Sequence, residues 1–360
     1  KDGEVSVSLS PRISLQRVGQ IVNSTTIFLN IEERILLTSV ALTPTQTVTP
    51  APTLTPTVTP TWTVTPTVTI TPSVTGVSLP VLRHSIADPN ISFSSFNDDF
   101  GLSVGTWGNY AIVGAPLEDV AGTENGMFDE GVAYIINVNT GGVVRVLYNP
   151  NDKHFSSGDE FGSTVDMFAN YALVSAVREE ANANDSNNDD GVVYLFDVNT
   201  GDKVWTFRNP DGSSSGDYFG AALAISAEYS VIGSKWNGPI NSGRAYVFDN
   251  STGMLLHTLE NPNTSGAADN DNFGTSVAVS GRYVISSAQY EGSGGTVYVY
   301  DMLDATPETP INTIQNPNAF GVVMGGAFTG DQFGYSVAVD GTMLIVGAIE
   351  ELNVSSVAAG

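Results

Sequence analysis

Short stretches of alternating apolar and polar residues recur from about residue 98 onward. GTSVAVS (274–280) alternates with period two and predicts a strand. Gly281-Arg282 predicts a tight turn, and YVISSA (283–288) is short and apolar on both faces, as a buried strand is. After a variable loop, GTVYVYD (295–301) predicts a third strand. Its counterparts are GVAYIIN (131–137), GVVYLFD (191–197) and GRAYVFD (243–249), with a tyrosine at one station in all four: Tyr134, Tyr194, Tyr246 and Tyr298. Turn residues follow as NTGG, NTGD and NSTGM. A fourth strand then ends in Asn-Pro, as VVRVLYNP, KVWTFRNP, LLHTLENP and INTIQNP. Proline lacks the amide a ladder needs, so this strand reads as an outer edge.

Each unit opens on Asp-x-Phe-Gly. The Phe-Gly pairs are Phe100-Gly101, Phe161-Gly162, Phe219-Gly220, Phe273-Gly274 and Phe333-Gly334, spaced by 61, 58, 54 and 60 residues. A period of this size implies a propeller, solenoid or array, and four short antiparallel strands per unit imply a propeller blade. Asp98, Asp159, Asp217, Asp271 and Asp331 stand two places before each Phe. Five equivalent aspartates could be a catalytic set. The structural reading is preferred, because short Asp side chains accept backbone amides in turns. The phenylalanines read as wedges between blades, and the glycines as sites where inner strands approach closely.

VLRHSIADPN (81–90) aligns without gaps to MLLHTLENPN (254–263), a fourth strand. The predicted domain therefore opens on an outer strand whose blade lies at the other end of the sequence, which would latch a ring shut. The unit at Phe333 has two predicted strands before Gly360 and no G-x-V-Y strand. The fold class expected is all-β: a propeller of four-stranded blades over 76–360, with five blade starts and six or seven blades in the intact protein. Its C-terminus reads as truncated, or as completed by another chain.

Two regions precede the repeats. Residues 1–42 hold alternating stretches, EVSVSLS (4–10) and TTIFLNIEERILLTSVAL (25–42), that predict two to four strands. This is too little for an independent core, so the segment is expected to pair with a preceding domain or a neighbouring subunit. Residues 43–75 contain 15 Thr and 7 Pro and no charge. Proline excludes helix, and at about 3.1 Å per residue an extended arm would reach roughly 100 Å. Thr takes nearly every odd position, while Pro, Val, Leu, Trp62 and Ile70 take even ones. A spacer does not need that regularity; it puts hydroxyls on one face and apolar groups on the other. The arm therefore reads either as a stiff O-glycosylated spacer or as an element packing against other copies or a companion protein.

Charge narrows the partners. Asp plus Glu outnumber Lys plus Arg by 38 to 13, a net charge of -25, which disfavours nucleic acid. There is no cysteine, hence no disulfide or thiolate metal site, and no apolar run long enough to span a membrane. The chain begins at Lys1 without a recognisable signal peptide, which reads as a processed chain or a fragment.

Phe-Gly-x-Ser-Val followed by Val-Gly-Ala, best seen in FGLSVGTWGNYAIVGAP (100–116) and from Phe333 to Ala348, resembles the FG-GAP repeat of integrin alpha-subunit propellers and their bacterial and algal relatives. The resemblance covers about 98–350. It implies a propeller, usually seven-bladed, used outside the cell for adhesion or protein recognition. Many repeats of that family carry an Asp-x-Asp-x-Asp-Gly calcium loop between the first two strands. Here that connection is Ser280-Gly281 or Asp340-Gly341, so the family's calcium ligands do not carry over. Ser186, Asn188 and Asp190, before Gly191, mimic the start of a calcium loop, but no bidentate Glu follows. A solvated acidic loop is the preferred reading, with calcium the alternative. No other cofactor is expected.

The histidines are His84, His154 and His257; His84 and His257 share an outer-strand station, which argues for surface structure. No nucleophile triad, His-x-x-x-His pair or phosphate loop is present. N-glycosylation triplets start at Asn23, Asn90, Asn184, Asn250, Asn263 and Asn353, and Thr53, Thr55, Thr57, Thr59, Thr61 and Thr63 are O-glycosylation candidates. The expectation is an extracellular or cell-surface, non-enzymatic structural or adhesive protein, a subunit of a filament, appendage or fibre. Its expected partners are copies of itself or a companion protein. The alternatives are a recognition module that binds glycan or protein through the propeller face, with the arm as a stalk, and a propeller hydrolase using two carboxylates.

Overall fold

Why this chain folds into separate sheets is visible in its turns. Each alternating run is too short to do more than pair with the next, so the strands meander. The computed structural model describes residues 84–90, 98–119, 130–151, 158–180, 190–212, 216–238, 241–263, 270–292, 294–317 and 331–349. It also places the strands Ile27–Phe28, Val322–Met324 and Ala327–Thr329. No α-helix occurs among the described residues.

Four antiparallel four-stranded sheets follow one another like propeller blades. Blade one is Val104–Trp107, Tyr110–Ala115, Val132–Asn137 and Gly142–Tyr148. Blade two is Phe161–Phe168, Tyr171–Ala176, Val192–Asp197 and Lys203–Arg208. Blade three is Phe219–Ile225, Tyr229–Ser234, Arg244–Asp249 and Leu255–Glu260. Blade four is Phe273–Ser280, Tyr283–Ala288, Thr296–Asp301 and Asn312–Gln315. A fifth unit has Ser336–Asp340 paired with Met343–Gly347. The expected blade and its strand order are thus present, and the Asn-Pro steps follow the ends of the outer strands.

The second and third strands of each blade are buried on both faces, and the outer strand is half exposed. The core lies between blades. One buried cluster joins Ile112, Ile135 and Leu147 of blade one to Phe161, Val174 and Tyr194 of blade two. Another joins Val231, Val247 and Leu259 of blade three to Phe273, Val284 and Tyr300 of blade four. Phe161, Phe219 and Phe273 are completely buried at these seams. Each wedge lies edge-on or tilted to its own blade's tyrosine, with ring centroids 5.6–6.1 Å apart in blades two to four.

One expectation changes. Ser85–Ile86, in the segment aligned with outer strands, pairs with Ile27–Phe28 and with no strand of the fifth unit among the described residues. For Ile27–Phe28, a partner is therefore found within the same chain. The Thr/Pro tract 43–75 and the remainder of 1–42 lie outside the described residues.

Candidate functional site

The motif Asp-x-Phe-Gly builds the seam. Its variable residue has a left-handed backbone at Asp99, Glu160, Tyr218, Asn272 and Gln332, and the glycine that follows Phe has φ between 85° and 99° in every unit. In blades two, three and four the ladder breaks just after Phe, a bulge that lifts the Phe-Gly step toward the preceding blade. In these blades and in the fifth unit the Phe amide donates to the Glu130, Asp190, Ser242 and Gly294 carbonyls of the blade before, at 2.7–3.1 Å. Only glycine fits opposite: a Cβ on Gly243 would lie 2.0 Å from the Phe273 carbonyl oxygen.

The aspartates do something the sequence did not suggest. All five are buried. The Asn-Pro asparagine of the preceding outer strand donates its side-chain amide to them: Asn149 to Asp159 (2.9 Å), Asn209 to Asp217 (2.8 Å), Asn261 to Asp271 (2.9 Å) and Asn316 to Asp331 (2.9 Å). Each pair therefore ties one blade's end to the next blade's start. Backbone turns alone do not account for these residues.

In blades one, two and four the tyrosine of the third strand donates to a further carboxylate, buried in blades one and two and half-buried in blade four. Tyr134 donates to Glu118 at 2.5 Å, Tyr194 to Glu179 at 2.6 Å and Tyr298 to Glu291 at 2.7 Å. Blade three varies the theme: Asn237 donates to the Tyr246 hydroxyl, which donates to Asp211, and Arg244 pairs with Asp211 and Glu260. Burial pushes Glu118 and Glu179 up to about 7, against the lowering effect of their tyrosines. Burial likewise pushes Asp159 and Asp217 up to about 6. Sequence reasoning missed these glutamates; their only signal is the acidic residue just after the Val-Gly-Ala strand.

A central cavity of about 340 Å³ is lined by the first strands of all five units, with Val104, Val165, Leu223, Val277 and Val337 facing it. Trp107 and Phe168 lie tilted against each other on its wall, with ring centroids 4.0 Å apart. Its carboxylates are Asp166 and Asp340, and Asp166 accepts the Ile225 amide of the next blade at 3.0 Å. Serines of Phe-Gly-x-Ser also cross the seams: Ser103 accepts from Val165 and Ser276 from Val337. The repeated carboxylates thus lie in seams, and the cavity is mainly an apolar lumen. Such an arrangement holds neighbouring blades together.

The family model described as FG-GAP repeat matches residues 209–248 and 325–360. At these two places the chain carries an FG-GAP repeat. No curated protein matches it. Among solved structures it is similar to the crystal structure of the computationally designed Ika4 protein, at 18% identity and a TM-score of 0.36, covering 59% of this chain and 96% of that one.

The other predicted sites fall out differently. Ser186 and Asn188 lie outside the described residues, as do Asn23, Asn184, Asn353 and the threonines Thr53 to Thr63. Asp190 is 1% exposed, so it is the buried end of its loop and not a solvated acid. Among the described residues no three His, Asp or Glu side chains are grouped to hold a metal. Asn250 is 3% exposed and donates to Ser226 while accepting from Ser230, which closes that triplet to glycosylation in the folded blade. Asn263 donates to Asp271, and Asn90 is half-buried. His257 pairs with Glu308 at 2.6 Å, and His84 reaches the Asn139 carbonyl at 2.9 Å, both at the surface as expected. No helix of the described residues is long and apolar enough to cross a membrane.

Proposed function

We propose that this is a non-enzymatic extracellular protein with a structural or adhesive role, a subunit of a surface filament, appendage or fibre that displays an acidic FG-GAP propeller. FG-GAP repeats suggest a β-propeller, a module often extracellular or adhesive. The observation that carries the reading is the placement of the repeated carboxylates: they serve as blade-to-blade clasps with Asn and Tyr partners. Two features favour assembly over a solitary ring. The outer strand of blade one leaves Val143, Val144 and Tyr148 exposed on an edge, a surface suited to pairing with another chain. The Thr/Pro tract offers a hydroxyl face and an apolar face without charge. Copies of the chain or a companion structural protein are the partners that fit.

Negative-stain electron microscopy of the protein isolated from its source tests this. Filaments or bundles studded with rings are expected. Isolated rings at every concentration would overturn the filament role and favour a recognition module acting through the propeller face.

A further inference from the structure

The pairing of Ile27–Phe28 with Ser85–Ile86 falls in a particular register. Ile27 stands opposite Ile86, and Phe28 opposite Ser85. In blade three the third strand meets the outer strand with Ala245 opposite Leu259 and Tyr246 opposite Thr258. Blade one has Ala133 opposite Leu147 and Tyr134 opposite Val146, and blade four has Val297 opposite Ile314 and Tyr298 opposite Thr313. In the gapless alignment of 81–90 with 254–263, Ser85 and Ile86 fall on Thr258 and Leu259. Ile27 and Phe28 therefore occupy the stations of Ala245 and the tyrosine Tyr246. The sequence agrees: Thr26-Ile27-Phe28-Leu29 reads like Thr296-Val297-Tyr298-Val299.

The place of Ser85–Ile86 in the ring is fixed by the next blade. Ile86 is buried in a cluster with Phe100, Val113 and Tyr134 of blade one. Leu147 meets Phe161 and Leu259 meets Phe273 in the same way, an outer-strand residue under the wedge of the following blade. His84 bonds the Asn139 carbonyl in the turn after the third strand of blade one. At the aligned station Arg145 donates to the Val198 carbonyl and Trp205 to the Asn250 carbonyl, in the corresponding turns of blades two and three. Residues 84–86 thus hold the outer-strand position of the blade that precedes blade one.

We infer that Ile27–Phe28 belongs to the third strand of this closing blade and Ser85–Ile86 to its outer strand. The Thr/Pro tract is then an insertion between two adjacent strands of one blade, where blade one needs only the step from Asn137 to Gly142. This holds whether or not the propeller assembles into a fibre.

The chain has no cysteine, so an introduced pair reports without background. Residues opposite each other in an antiparallel pair are within disulfide reach. The double variant F28C with S85C in the 360-residue chain is expected to form a disulfide within the monomer under mild oxidation. F28C with T206C, the same station on blade two, is expected to form it at least tenfold more slowly. No disulfide, equal rates for both pairs, or a bond between two chains would overturn the inference. A specific protease site inserted between Thr61 and Trp62 gives a second readout. After cleavage of the otherwise unaltered chain, the N-terminal fragment is expected to co-elute with the propeller in native buffer; its release as a free fragment would overturn the inference.

Discussion

Blade four and the fifth unit share nearly one wording, FGTSVAVSGRYVISSA against FGYSVAVDGTMLIVGA, yet they differ in burial. Ile285 is 1% exposed and its counterpart Ile345 is 59% exposed. Phe273 is completely buried, whereas Phe333 is only partly so. Both units carry the left-handed residue before Phe and the left-handed glycine after it, and both aspartates accept an asparagine from the preceding blade. The motif is thus sufficient for the hairpin and for the clasp behind it. Burial comes from elsewhere: from the third strand alongside, and from the wedge of the blade that follows. The described residues supply both to blade four and neither to the fifth unit.

The sharpest way to break that comparison is to truncate the two wedges. Phe273→Ala is expected to cost about 3–5 kcal/mol in chemical denaturation, the range for a buried aromatic. Phe333→Ala is expected to cost less than half as much. Similar losses would mean that the fifth unit is as well packed as the fourth. Glycines give the next effect. Gly243→Ala forces a Cβ onto the Phe273 carbonyl and is expected to cost roughly 3 kcal/mol. Gly341→Ala, in the turn of the fifth unit with nothing within 4 Å, is expected to cost about 1 kcal/mol, from its left-handed backbone alone.

The buried glutamates predict an unusual pH response. Their folded pKa is raised, so the folded protein holds protons that the unfolded chain releases. Stability is then greatest at low pH and is lost as pH rises from about 4.5 through about 7. Thermal unfolding should therefore occur at a higher temperature at pH 5 than at pH 8. Glu179 alone accounts for up to roughly 3 kcal/mol of that difference. Glu179→Gln keeps an acceptor for Tyr194 and removes the titration, so it should narrow the gap between the two temperatures; an unchanged gap would acquit this residue. The smallest effect is expected at the rim. His257→Ala, which removes a pair with the half-exposed Glu308, should change stability by about 0.5 kcal/mol or less.

The blades were legible because their information is local. Period-two alternation, Asn/Thr/Gly turns and a terminal Asn-Pro each describe a few consecutive residues, and strands such as Tyr283–Ala288 fall where the pattern puts them. The clasp was only half legible. Asn-Pro could be read as a strand terminator, but its asparagine meets an aspartate of the next blade across a loop of varying length, which no local pattern reveals. The left-handed residue before Phe was hidden for another reason. It is Asp99, Glu160, Tyr218, Asn272 or Gln332, and most of these types rarely adopt positive φ, so tertiary structure imposes it. The glutamate–tyrosine pairs were missed because the glutamate lies in the loop after the second strand and its tyrosine in the third, and only folding brings them together. The pairing of Ile27–Phe28 spans the whole Thr/Pro tract, a distance over which alternation predicts a strand but cannot name its partner.

Hydrogen–deuterium exchange on the 360-residue chain tests the central claim most directly. Amides of residues 283–288 and 343–347 belong to the same strand of the same motif, one inside a complete blade and one with no third strand beside it among the described residues. The account predicts protection of 283–288 near that of global unfolding, and exchange of 343–347 at least a hundredfold faster. Equal protection of the two strands would contradict it, because the motif alone would then suffice to build a blade.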